Sequence, residues 1–132
     1  MTIPRLRIVA ALIQDNERIL ISQRKKQSHL GLMWEFPGGK VESGETDAVA
    51  LTREIREELD LEVSVGSLFH QQTYAYPERV VALHFYRCGL LSNRLPKAIG
   101  VLCYRWVRLH ELGNFNFPPA NLELLEKLTN RG

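Results

Sequence analysis

A chain of 132 residues is long enough to bury a core of its own, and one domain spanning 1–132 is expected. Hydrophobic residues at 45% and charged residues at 24% argue against a disordered chain, and a net charge of +2 is too small for a surface built to coat nucleic acid. The charge is unevenly spread. Eight of the fifteen acidic residues (Glu42, Glu45, Asp47, Glu54, Glu57, Glu58, Asp60 and Glu62) fall in one short stretch, and none occurs from Arg79 to His110. Carboxylates concentrated inside a mildly basic chain suggest a local task for them.

In chain order, Leu6 to Gln14 reads as a strand, with Ile8 to Ile13 a continuous apolar run. That run is far below the ~20 residues of a membrane span and too short for the core of an export signal, so a cytoplasmic protein is expected. Asp15-Asn16-Glu17 reads as a turn and Arg18 to Arg24 as a second strand. A polar stretch follows from Lys25 to His29; its lysine pair reads as a solvated pair, with a phosphate contact the alternative. Trp34-Glu35-Phe36-Pro37-Gly38-Gly39 has the turn chemistry of a loop.

The spacing predicts a helix over Thr46 to Leu59, then strands over Val63 to Tyr76 and Arg79 to Arg87 joined at Pro77-Glu78. A short strand is expected at Tyr104 to Val107 and a last helix at Asn121 to Leu128, behind Pro118-Pro119. Strands in antiparallel pairs with helices between them favour an α/β fold with a mixed sheet over a doubly wound parallel one. Cys88 and Cys103 read as reduced thiols. The four histidines have no zinc-ligand spacing, and Trp34 and Trp106 read as packing residues.

On a helical wheel the segment 46–59 places Ala48, Thr52, Ile55 and Leu59 on one face, the expected core side. Glu54, Glu57 and Glu58, at i, i+3 and i+4, are expected on nearly the opposite face. Like charges at those spacings repel, and the last turns of a helix disfavour negative charge. For three glutamates alone a solvated acidic face competes with a functional reading. A hard divalent cation such as Mg²⁺ would relieve the conflict, since it takes carboxylate and phosphate oxygens. Gly38-Gly39 upstream would let backbone approach a ligand closely, and Arg53 can hold a carboxylate through a two-pronged pair.

Read as one string, Gly39-x5-Glu45-x7-Arg53-Glu54-Ile55-x-Glu57-Glu58-x-Asp60-Leu61 resembles the signature of the Nudix hydrolases. The departure is Asp60, where the family pattern has glycine; Asp tolerates the left-handed conformation that often follows a helix. Trp34 to Lys40, Pro77-Glu78-Arg79 and Phe117 to Asn121 extend the likeness to the MutT-like branch, over about Leu6 to Leu128. The resemblance implies an α/β/α sandwich with a mixed β-sheet, and hydrolysis of a nucleoside diphosphate linked to a further group. It also implies metal ligation by Glu54, Glu57, Glu58 and the Gly38 carbonyl, with Arg53 orienting the carboxylates and Glu54 helping to deprotonate water. Mg²⁺ is the expected ion, with Mn²⁺ able to serve.

By matching position, the base pocket would comprise Arg24, Phe36, Glu78, Arg79 and Asn121, with Glu78 standing where the branch has aspartate. The implied substrate is a nucleoside triphosphate, 8-oxo-dGTP foremost, cleaved to 8-oxo-dGMP and pyrophosphate in nucleotide-pool sanitation. A CTP-directed or broad pyrophosphohydrolase and a catalytically weak nucleotide-binding module are the alternatives. Asn121 is also a favoured helix cap, which is its plain structural reading. Related enzymes often carry another glutamate ahead of the late strand, whereas Ile99 to Arg105 has no acid here, so fewer or weaker metal sites are expected. No direct DNA, RNA or membrane contact is expected, and the chain should be a monomer.

Overall fold

A computed structural model describes residues 2–130. Seven strands and two helices follow in the order β1 (Arg5–Asp15), β2 (Arg18–Gln23), β3 (Trp34–Glu35), β4 (Gly38–Lys40), α1 (Asp47–Leu59), β5 (Val63–Tyr76), β6 (Arg79–Leu90), β7 (Cys103–Arg108) and α2 (Leu122–Thr129). The central path runs β3-β2-β1-β6-β5, with β4 added to β1 and β7 to β2. β1 and β6 are parallel from Arg5↔Val80 to Ile13↔Cys88, and the other pairs are antiparallel. The sheet is therefore mixed, as expected.

Period-two alternation along the strands divides the core. Val9, Ala11, Ile13 and Leu20 face α1 and pack on Ala50, Leu51, Ile55 and Leu59. Ala10, Leu12, Ile19, Ile21 and Phe85 face the other way and pack with Leu124 and Leu128 of α2. One sheet between two helical layers is the α/β/α sandwich. No helix is long and apolar enough to cross a membrane among the described residues.

The expected β3–β4 loop is a correction. Trp34–Glu35 pairs with Ser22–Gln23, and Gly38–Lys40 pairs with Ile8–Ala10. Strands of two and three residues have no periodicity to read; they form because long neighbours present free ladder groups. The core face of α1 is a second correction. Ala48 is exposed and Thr52 only half-buried, while Ala50 and Leu51 are buried with Ile55 and Leu59. Leu51, Ile55 and Leu59 stack at i, i+4 and set the buried face. α2 begins at Leu122, because Pro119–Asn121 forms a separate 3-10 turn held by Asn121 N–H on the Pro118 carbonyl at 2.9 Å.

Candidate active site

The site is assembled around α1. Thr46 caps it by accepting from the Val49 N–H at 3.2 Å, and Asp60 ends it in the left-handed conformation (φ 55°) with its N–H on the Arg56 carbonyl. Asp60 thus adopts the backbone for which glycine is favoured.

Arg53 is the hub of the outer face. Its Nε and Nη2 grip both oxygens of Glu45 at 2.6 and 2.9 Å. Its Nη1 donates to Glu54 at 2.9 Å and Glu57 at 3.1 Å, and Nη2 also reaches the Lys40 carbonyl at 3.1 Å. The guanidinium, helped by the Glu42 N–H, holds the Glu45 carboxyl down at about 2. One side chain therefore ties the loop after β4 to the carboxylates of the helix.

The three glutamates do not share the outer face that the wheel suggested. At ~100° per residue Glu58 lies only about 60° from Ile55, so it turns half inward. Glu57 points out, with its side chain 60% exposed, whereas Glu54 is 16% exposed and lies against Gly39. A Cβ at Gly39 would collide with the Glu54 carboxylate, and one at Gly38 would collide with the Val9 carbonyl, so both glycines are needed for this close approach. Burial pushes Glu54 up, with Arg53 opposing. Burial, reinforced by Glu35 and Glu54, pushes Glu58 up to about 9, and the Gly38 N–H works in the opposite direction.

Beside the carboxylates a cavity of about 330 Å³ opens on the α2 side of the sheet. Arg24, Phe36, Arg79, Asn121, Gly38 and Glu58 all line it, so the fold brings together most of the residues singled out from sequence. Phe36 forms the apolar wall, stacked on Phe117 at 5.2 Å and edge-on to Phe85 at 6.3 Å. Asn121 is 8% exposed and makes no side-chain cap on α2, so the plain capping role is not the one it fills. Glu78 does not line the cavity; it stands half-exposed at the β5–β6 tip, 3.6 Å from His29 Nε2.

Glu35 and His29 are among the lining residues not singled out from sequence. Glu35 pairs with Arg24 Nη1 at 2.8 Å, and Arg24 Nε also donates to the His29 carbonyl at 2.6 Å, which fixes the guanidinium at the cavity wall. Burial pushes Glu35 up despite that partner. No local pattern marks it, because its partner Arg24 reaches it from the end of β2. His29 lies edge-on to Tyr76 at 5.7 Å, and burial keeps its imidazole below the ordinary range.

Whether these groups suit a divalent cation is decided by the donor set. Among the described residues no three acidic, His or Cys side chains converge at ligand spacing, because Glu57 is drawn to Arg53. Glu58 Oε1, however, is buried with no hydrogen-bond partner, near Glu35 and Glu54, in a setting that raises both Glu54 and Glu58. An incomplete set of hard oxygen donors fits an ion that brings phosphate and water ligands with it.

Residues 8–127 match the NUDIX domain model, and the chain belongs to the Nudix hydrolase family, whose members generally use a divalent metal. Within the family its relatives are MutT-like. It is 35% identical to an 8-oxo-dGTP diphosphatase of Haemophilus influenzae, over 92% of this chain and 90% of that one. It is 34% identical to a CTP pyrophosphohydrolase of Escherichia coli K12, over 92% and 89%. The solution structure of a MutT protein from methicillin-resistant Staphylococcus aureus 252 superposes with a TM-score of 0.78 at 36% identity, covering 99% of this chain and 100% of that one.

Proposed function

We propose that the chain hydrolyses 8-oxo-dGTP to 8-oxo-dGMP and pyrophosphate, with Mg²⁺ as the working ion and Mn²⁺ able to replace it, and so clears the oxidised nucleotide from the precursor pool. The observation that carries the reading is Asn121, a buried amide on the wall of an apolar cavity that spends no hydrogen bond on the helix behind it. Oxidation at C8 turns guanine N7 from an acceptor into an N–H donor. One amide can then accept from N7–H and donate to O6. Ordinary guanine sets a lone pair against the amide oxygen, and an unpaired polar group in a buried site costs orders of magnitude in selectivity.

Phe36 supplies the flat apolar surface for the base, and Arg24, held by Glu35 and the His29 carbonyl, presents its remaining N–H groups to the nucleotide. The metal, when bound, neutralises phosphate charge and assists attack by water. Glu54, Glu57, Glu58 and the Gly38 carbonyl are the groups that would hold it. Arg53 keeps the glutamates in place through Glu45, and Glu54, raised by burial, is suited to take the proton of the attacking water.

Cleavage of CTP is the second reading, favoured by equal similarity to the E. coli CTP pyrophosphohydrolase. Replacing Asn121 with Ala separates the two. Loss of the amide is expected to cut kcat/KM for 8-oxo-dGTP by about a hundredfold while leaving dGTP within a few-fold. An equal loss on both substrates would contradict the assignment.

A further inference from the structure

Two peculiarities of this chain meet at one place. Asp60 stands where the family pattern has glycine, and the segment before β7 carries no acid. Asp60 is not a passive replacement. Its carboxylate pairs with Arg94 Nη1 at 3.1 Å and Lys97 Nζ at 3.7 Å, and Arg94 also donates to the Asp60 carbonyl at 3.3 Å. These pairs lay the following segment across the end of α1. There the Lys97 N–H donates to the Leu59 carbonyl at 2.9 Å, and the Ile99 and Gly100 N–H groups both donate to the Glu58 carbonyl at 3.0 and 3.1 Å. Helix ends leave such carbonyls open, and here one strap closes them.

The strap then touches Glu58 directly. A Cβ on Gly100 would lie 3.2 Å from both Cα and Cγ of Glu58, closer than packed carbons allow without a shift. Beyond that contact Val101 is buried in the α1 core cluster, and the Leu102 N–H donates to the Gln23 carbonyl at 2.9 Å, next to Arg24. The segment is therefore pinned at both ends, with Glu58 beneath its middle.

We infer that Asp60, Lys97 and Gly100 form a positioning strap that holds the Glu58 side chain turned inward for cation binding, a structural substitute for the acid this segment lacks. The inference rests on the reading of Glu58 as a cation ligand. Asp60 and Gly100 act through Glu58 and touch neither ion nor nucleotide. Groups that orient a ligand commonly change metal affinity ten- to a hundredfold when altered, and exposed ion pairs contribute less.

The test measures binding of Mn²⁺ alone to the full chain by electron paramagnetic resonance, together with melting temperature and amide exchange at Ile99 and Gly100. Asp60→Gly keeps the backbone conformation and loses the two pairs. It is expected to weaken Mn²⁺ about threefold and speed exchange of both amides, with a melting temperature equal to or above wild type. Gly100→Ala is expected to weaken Mn²⁺ about tenfold. Leu95→Ala, at an exposed side chain of the same segment that makes none of these contacts, should match wild type. In a Glu58→Gln background neither strap substitution should weaken Mn²⁺ further.

Unchanged affinity in both strap variants, or equal losses with and without Glu58, would overturn the inference while leaving Glu58 as a ligand. Unchanged affinity in Glu58→Gln alone would remove the ligand reading, and the strap with it.

Discussion

Replacing Glu58 with Gln should raise the stability of the metal-free protein while abolishing most activity, and the rise should depend on pH. The carboxyl is pushed from its ordinary 4.5 up to about 9 by burial and by Glu35 and Glu54. A raised carboxyl contributes stability fully below the unfolded value and loses it as pH climbs through the folded one. At pH 7 the folded chain keeps a proton that the unfolded chain releases, across roughly 2.5 pH units at about 1.4 kcal/mol each, or about 3 kcal/mol.

Glutamine is neutral at every pH, so it escapes that cost, although its own amide needs partners where Glu58 Oε1 has none. The net gain is then on the order of 1–3 kcal/mol at pH 8, roughly 3–10 °C in Tm, and near pH 4, where wild type is protonated in both states, it gives way to the amide's own cost, so the variant melts at or below wild type there. Thermal melts from pH 4 to 9 in EDTA read this directly, and Mn²⁺ should raise the Tm of wild type more than that of the variant. A gain independent of pH, or a variant less stable at pH 8 than at pH 5 relative to wild type, would refute the electrostatic account. Turnover of the preferred nucleotide should fall by about a hundredfold or more.

Phe36→Ala should cost about 3–4 kcal/mol by denaturant melt, since the ring is 3% exposed and stacked on Phe117, and should raise KM more than it lowers kcat. The Asp47 carboxyl is held at about 2 by Arg7, with help from the Tyr86 hydroxyl. Its stabilisation is therefore present above pH ~4 and lost as pH falls through about 2; because Arg7 is half-exposed the effect is about 1 kcal/mol. Asp47→Asn should accordingly melt lower than wild type at pH 7 and equal it at pH 2, and a deficit persisting at pH 2 would contradict the linkage.

Much of this molecule is legible in its sequence. Helix α1 falls where the spacing placed it, starting one residue later because Thr46 caps it and stopping at Asp60 in the left-handed conformation, and β5 ends where Pro77 interrupts its alternation. Arg24, Phe36, Arg79 and Asn121 were named from motif position and meet on one cavity, although they come from four separate segments. Less legible were features set by tertiary contact. β3 and β4 are too short for a period, and Glu35 matters because Arg24, just past the end of β2, arrives beside it.

The inward turn of Glu58 was within reach of the wheel, but Leu51 had to be recognised as the anchor of the buried face first. The partners of Asp60 lie 34 and 37 residues downstream in an irregular segment, and no local pattern predicts that return. Glu78, placed in the pocket by position, stands outside its lining because the hairpin tip carries it to the rim.

The proposed function places a pocket selective for oxidised guanine in a pyrophosphate-releasing enzyme. Its most direct test is kcat/KM with Mg²⁺ for 8-oxo-dGTP, dGTP and CTP, with products identified by chromatography. The expected products are 8-oxo-dGMP and pyrophosphate, with the oxidised nucleotide preferred by about a hundredfold or more. Equal rates on all three, or a preference for CTP, would contradict it.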